Sequence, residues 1–76
     1  STYVVGYYQT ETEAAIAYNK AVDELTKHGI HRKYLLNYVT DISPLEYAEL
    51  YISIEFSKAF QKTLTNLTIH NNNVHT

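Results

Sequence analysis

The sequence predicts a small, mostly helical α+β fold with one N-terminal strand, two helices and a flexible tail. Three observations support this class: the first residues are β-branched and aromatic, two segments open with helix-capping residues, and apolar side chains recur at helical spacing. The chain of 76 residues is long enough for one domain. We expect that domain over residues 1–65 and a disordered tail over residues 66–76. Because the chain lacks Met and opens in the predicted strand, we expect a fragment of a longer protein; the alternative is a processed Met-Ser start.

The predicted strand covers residues 2–8. The alternation of side chains places Tyr3, Val5 and Tyr7 on one face and Val4, Gly6 and Tyr8 on the other. Both faces therefore carry apolar or aromatic groups. A lone strand leaves its backbone groups without partners. We expect this strand to pair with a strand from outside the chain, with a partner chain, or with another part of this chain.

The first predicted helix covers residues 11–28. Thr10 and Glu13 have the spacing of a capping box, and Gly29 suits the left-handed position that follows a helix. Helical spacing predicts one buried face, made of Ala14, Tyr18, Ala21, Val22 and Leu25. The following connector, residues 30–40, is too apolar for a solvated linker, and we expect it to pack on the helices.

The second predicted helix covers residues 44–65. Ser43 is a good N-cap, Pro44 suits the first helical position, and Glu46 completes a capping box. The expected buried face consists of Leu45, Ala48, Ile52, Phe56, Ala59 and Phe60. The first helix is too short to cover this stripe, so part of it is expected to meet a second chain. The alternative is that the second helix folds back wholly onto the first helix and the connector.

These features predict a homodimer. An unpaired strand favours pairing with its own copy, and the wide apolar stripe favours helix association. The residues expected at the interface are Tyr3, Val5, Tyr51, Ile52, Phe56 and Phe60.

One run of the sequence carries a family resemblance. The residues concerned are Gly6, Tyr8, Thr10, Glu11, Glu13, Ala14, Ala15, Ala17, Tyr18 and Ala21, followed less tightly by Leu25, Gly29 and Asn37. This pattern resembles the third strand and the helix of the AP2/ERF DNA-binding domain, in which three antiparallel strands pack on one helix. The Tyr18-Asn19-Lys20-Ala21 variant is most similar to AP2-like modules of bacterial and phage proteins, which often accompany homing endonucleases or integrases.

The resemblance implies a sequence-specific DNA-binding parent protein, in which this portion acts as scaffold and dimerisation element. The first two strands of the family have no counterpart here. Thr2 and Val4 stand where the family often places Arg and Trp, and neither can make a bidentate contact with guanine. DNA would therefore be read by other parts of the parent protein.

A cluster of basic residues follows the first helix. We predict Lys27, Arg32 and Lys33 as contacts to DNA phosphates, because such contacts need only flexible cations. The alternative is that these residues cap the helix and solvate a loop. The formal net charge of −2, from six basic and eight acidic residues, gives no general basic excess.

A second function, of a different class, is a small self-associating or partner-binding module with no nucleic-acid role. Neither hypothesis involves an enzyme, a cofactor or a metal: the glutamates lack an associated nucleophile, and His28 and His31 flank Gly29 without further ligands. No apolar run approaches the roughly 20 residues that span a bilayer. We expect no membrane partner and a cytoplasmic location.

Overall fold

The computed structural model describes residues 4–30 and 36–74, which form three helices: α1 (Glu11–Lys27), α2 (Pro44–Ser53) and α3 (Lys58–Val74). No strand occurs in these two ranges, so the predicted α+β class is wrong for the part of the chain that the structure describes. The predicted strand over residues 2–8 is not formed at residues 4–8. Thr2 and Tyr3 lie outside the described residues.

The N-terminal segment has a different role from the one predicted. Val5 O accepts a hydrogen bond of 2.7 Å from the Ser57 backbone N–H, and Val4 O accepts one of 3.1 Å from the Ser57 hydroxyl. Both carbonyls are thus bonded to a single residue that immediately precedes α3. Because these bonds go to a helix terminus, residues 4–8 form no ladder with a neighbouring strand.

Helix α1 begins and ends where its local signals indicate. The Thr10 hydroxyl accepts from the Glu13 backbone N–H at 3.0 Å and donates to the Glu13 carboxylate at 3.2 Å. Gly29 has φ +87°, the left-handed conformation predicted for it. The Gly29 N–H donates to Thr26 O and the Ile30 N–H donates to Leu25 O, which is the bonding pattern of a Schellman cap.

The predicted second helix over residues 44–65 is wrong in its length and continuity. Its start is as predicted, with the reciprocal Ser43–Glu46 capping box. Helix α2 then ends at Ser53, four connecting residues intervene, and α3 begins at Lys58. Helix α3 continues past Thr65 to Val74, through most of the segment predicted as a flexible tail.

The core lies along α1 in two clusters. Ile16, Ala17 and Ile54 form one, and Ala21, Leu25 and Phe60 form the other. The first is covered by α2 and the second by α3, so α1 acts as the common support of both helices. The periodicity of α1 predicts Ala21 and Leu25 in the core but leaves Ile16 and Ala17 out of it.

Several residues predicted as buried are exposed instead: Ala14, Leu45, Ala48, Ile52 and Ala59. On α2 the side that faces α1 carries Tyr47, Leu50 and Tyr51, which pack against the cluster of Ile16, Ala17 and Ile54. Leu45, Ala48 and Ile52 lie on the opposite side of the helix.

Candidate association site

The connector between α2 and α3, residues 54–57, is held by groups from elsewhere in the chain. The Tyr8 hydroxyl donates to Glu55 O at 2.8 Å, and the Lys20 ammonium donates to Ile54 O at 2.8 Å. The Ser57 backbone N–H donates to Val5 O. Three backbone groups of the connector are therefore bonded to the N-terminal segment or to α1.

Lys20 points from α1 into an aromatic site. Its Nζ lies 5.6 Å from the centroid of the Tyr51 ring and 5.6 Å from that of the Phe56 ring. A cation at this distance is attracted by the negative face of each ring. Through these contacts Lys20, which belongs to α1, holds both the end of α2 and the connector against α1.

A second polar contact joins α1 and α2. The Tyr51 hydroxyl donates to the Asp23 carboxylate. Burial raises the pKa of Tyr51 above its ordinary value, and the hydrogen bond and charge of Asp23 raise it further. Burial also raises the pKa of Tyr8. Both hydroxyls are therefore kept as hydrogen-bond donors, as their contacts require.

Asn19 is the buried polar residue of α1, with 5% of its surface exposed. Its amide accepts from the Asn37 N–H at 2.8 Å and donates to Asn37 O at 3.0 Å and to the Tyr47 hydroxyl at 3.1 Å. Asn37 in turn donates from its side chain to Ala15 O at 3.4 Å. These bonds fix Asn37, which follows the predicted basic cluster in the sequence, onto α1.

The outward side of α2 is mostly apolar. Leu45 is 68% exposed and Ile52 is 79% exposed, and Ala48 and Glu49 lie between them on the same side of the helix. Isolated exposed apolar residues are common, but three neighbouring ones on one side of a helix mark a candidate interaction surface.

A second open surface is a shallow groove along α1, lined by Glu11, Ala14, Ala15, Tyr18 and Asn37.

The six residues predicted at the oligomer interface differ in how far they are buried. Ile52 is on the surface, Phe60 is buried with 2% exposed, and Val5 and Phe56 pack beside Phe60. Tyr51 packs partly buried against the Ile16 cluster. Tyr3 lies outside the described residues. In the single chain Ile52 is accessible to a partner, whereas Phe60 is buried by its own chain.

Of the three predicted phosphate contacts, the structure describes Lys27. It is exposed, and its Nζ lies 3.4 Å from the Glu24 carboxylate, one turn earlier on α1. Arg32 and Lys33 lie outside the described residues, so the prediction of a basic phosphate site stays a prediction.

Sequence reasoning missed three features of this site. Periodicity places Ser57 in the interior of a helix, although its hydroxyl accepts from the Phe60 N–H at 3.1 Å and so caps α3. One feature of the sequence could have indicated the structural role of Asn19: it is a polar residue that stands next to apolar residues of α1. The outward position of Leu45 had no signal in the sequence, because it depends on which side of α2 packs on α1.

Among the described residues, no three His, Asp or Glu side chains come together in a way that would hold a metal ion. None of the helices within residues 4–30 and 36–74 has both the length and the hydropathy that crossing a membrane requires. Comparison of the chain with protein-family models, curated proteins and solved structures finds no match.

Proposed function

We propose that this chain is the scaffold and self-association portion of an AP2-like, sequence-specific DNA-binding protein of bacterial or phage origin. The observation that carries this proposal is the Asn19–Asn37 contact. Both residues belong to the run that resembles the family, and their mutual hydrogen bonds join α1 and the segment after it into one unit. A protein of this class acts in the cytoplasm.

The two sides of α1 fit a scaffold role. One side holds the core through Ile16, Ala17 and Leu25. The other presents the groove with Ala14 and Ala15, whose small side chains permit close approach of another element. In the domains that this run resembles, the helix packs on a sheet. In the parent protein, a sheet from the rest of the chain would pack in this groove.

The proposal is tested by duplex DNA titration at several salt concentrations. This chain is expected to bind weakly and without sequence preference at low salt, and a parent protein containing the base-reading strands is expected to bind one site specifically. Replacing Lys27 and Lys33 by Ala should reduce the slope of log K against log salt by about 0.9 for each phosphate that is no longer neutralised.

The matched control is Lys58→Ala with Lys62→Ala, which removes the same charge from the exposed side of α3. This pair should leave the slope unchanged. If neither this chain nor the parent binds DNA at low salt, the DNA-binding function is excluded. If both pairs of substitutions act equally, the phosphates are not bound at the predicted cluster.

The apolar outward side of α2 favours a second function, a self-associating module with no nucleic-acid role. Leu45 and Ile52 are each more than two thirds exposed, on a helix that also carries Glu46 and Glu49. Such a module would associate in sedimentation equilibrium and show no DNA binding at any salt concentration. Ile52→Ser would weaken that association, whereas Ser53→Ala at the neighbouring position would not.

A further inference from the structure

The connector 54–57 has no residue that forbids a helix. Its sequence, Ile54-Glu55-Phe56-Ser57, contains neither Pro nor Gly. Helical spacing continues through it, and this is why the sequence predicts one helix from α2 into α3. The break therefore depends on the local Ser57 cap of α3 together with contacts to the rest of the fold.

The long-range contacts bind three connector groups that a continuous helix would bond internally. A continuous helix would join Ser57 N–H to Ser53 O, and it would direct the next two amides to Ile54 O and Glu55 O. In the structure, Ser57 N–H is bonded to Val5 O, Ile54 O accepts from Lys20, and Glu55 O accepts from Tyr8. The broken and the continuous forms thus satisfy the same three connector groups with different partners.

A continuous helix over residues 44–74 would be about 46 Å long and straight. Its first half can remain on its own α1 through Tyr47, Leu50 and Tyr51, but its second half then projects away. The apolar side of α3, with Phe60 at its centre, would lose the Ala21 and Leu25 surface that now covers it. The surface with the right shape and composition to cover it again is the same surface of α1 in a second copy.

We propose that the connector 54–57 is a hinge for exchange of α3 between two copies of this chain. In the two-copy form α2, the connector and α3 make one helix, and each α3 packs on the partner copy's α1. This inference rests on the self-association included in the proposed function. It explains how Phe56, which is partly buried in the single chain, and Phe60, which is buried there, would belong to an interface between copies.

The decisive variant is Lys58→Pro. Position 58 is the first residue of α3, where Pro is compatible with a helix start. In a continuous helix the same Pro would lie in the interior, which is strongly unfavourable. Measured by sedimentation equilibrium, Lys58→Pro should weaken dimerisation by at least about a hundredfold, the change that corresponds to about 3 kcal/mol. Lys58→Ala, which removes the same charge without restricting the backbone, should dimerise as the unmodified chain does.

A second pair of variants tests the hinge in the opposite direction. Tyr8→Phe removes a bond that exists in the broken form of each copy, so it should strengthen dimerisation about thirtyfold, the size of two net hydrogen bonds, one from each copy. Tyr7→Phe is the control, because Tyr7 is 92% exposed. Far-UV circular dichroism of each variant at low concentration confirms that the single chain is folded.

The outcomes separate this inference from the function it rests on. If the chain dimerises but Lys58→Pro dimerises equally well, exchange of α3 is excluded and self-association through another surface stands. Ile52→Glu then shows whether that surface is the outward side of α2. If the unmodified chain and Tyr8→Phe are both monomeric at millimolar concentration, both the exchange and the self-association are excluded.

Discussion

Asn19 and Asn37 form a reciprocal pair: the Asn37 N–H donates to the Asn19 side chain at 2.8 Å, and the Asn19 amide donates to Asn37 O at 3.0 Å. The side chain of one residue thereby satisfies both backbone groups of the other. This arrangement fixes a segment without regular secondary structure onto α1, as a strand would be fixed onto a sheet.

Replacement of Asn19 by Ala should lower the free energy of unfolding by about 1–3 kcal/mol, because it removes the partners of Asn37 and of the Tyr47 hydroxyl. Urea unfolding followed by circular dichroism measures the change. Asn66→Ala, at an exposed position on α3, should change stability by less than about 0.5 kcal/mol. Equal effects of the two substitutions would contradict the role given to Asn19.

Gly6 should resist substitution more strongly than Gly29. Gly6 has φ +156°, and a Cβ at this position would lie 2.6 Å from the Tyr8 hydroxyl oxygen. That hydroxyl is bonded to Glu55 O, so it cannot move away without breaking this hydrogen bond. Gly6→Ala should therefore cost about 1–3 kcal/mol of stability from backbone strain and displacement of Tyr8.

Gly29→Ala is the comparison for Gly6→Ala. Gly29 has φ +87°, and a Cβ added there would meet no atom within 4 Å, so the substitution costs only the backbone preference, about 1–2 kcal/mol. Thermal unfolding of the two variants gives the ranking. A larger destabilisation by Gly29→Ala than by Gly6→Ala would show that Tyr8 does not constrain the N-terminal segment.

Lys20 should stabilise the fold through its charge. Lys20→Met keeps the unbranched stem but removes the hydrogen bond to Ile54 O and the attraction to the Tyr51 and Phe56 rings. The expected decrease in the free energy of unfolding is about 1–2 kcal/mol, measured with urea. Lys62→Met, on the exposed side of α3, should be nearly neutral. A neutral Lys20→Met would mean that the ammonium group is solvated rather than bound.

Stability should fall at alkaline pH through Tyr51. Its pKa in the folded chain is raised by burial and by Asp23, whereas in the unfolded chain it titrates near its ordinary value. Below about pH 10 the tyrosine is protonated in both states, and its contribution is fully present. Above that pH the unfolded chain releases the proton first, so the free energy of unfolding decreases as pH rises toward the folded pKa.

Tyr51→Phe should remove this part of the pH dependence, with Tyr7→Phe as the exposed control. Urea unfolding between about pH 8 and pH 11, a range that brackets the ordinary tyrosine pKa, provides the measurement. The same alkaline slope in Tyr51→Phe and in the unmodified chain would exclude Tyr51 as its source.

Helix α1 and the start of α2 were predictable because their signals are local. The Thr10–Glu13 and Ser43–Glu46 spacings act within one turn, and Gly29 needs only its own backbone freedom to end a helix. The core was predictable in part: Ala21, Leu25 and Phe60 follow from periodicity, whereas Ile16 and Ala17 depend on which side of α1 receives α2.

The candidate site was less predictable. The sequence predicts Ile52 at an interface because it lies on a long apolar stripe, whereas its exposure in the structure results from the packing of α2 on α1 through its other side. No sequence pattern indicates that Tyr8 and Lys20 hold the connector, because their partners are 47 and 34 residues away along the chain. The segment 2–8 has strong β-propensity, yet propensity provides no partner strand.

Local signals in the amino-acid sequence decide where α1 begins and ends, where α2 begins, and which apolar residues are available to a core. These features depend on groups within about one helical turn of each other, so the chain carries them wherever it folds. Long-range contacts decide that residues 4–8 cross a helix terminus, and together with the local Ser57 cap they keep α2 and α3 as separate helices. The physical reason is that the connector backbone can bond either to its own helix or to Val5, Tyr8 and Lys20, and only the folded chain brings those groups within reach.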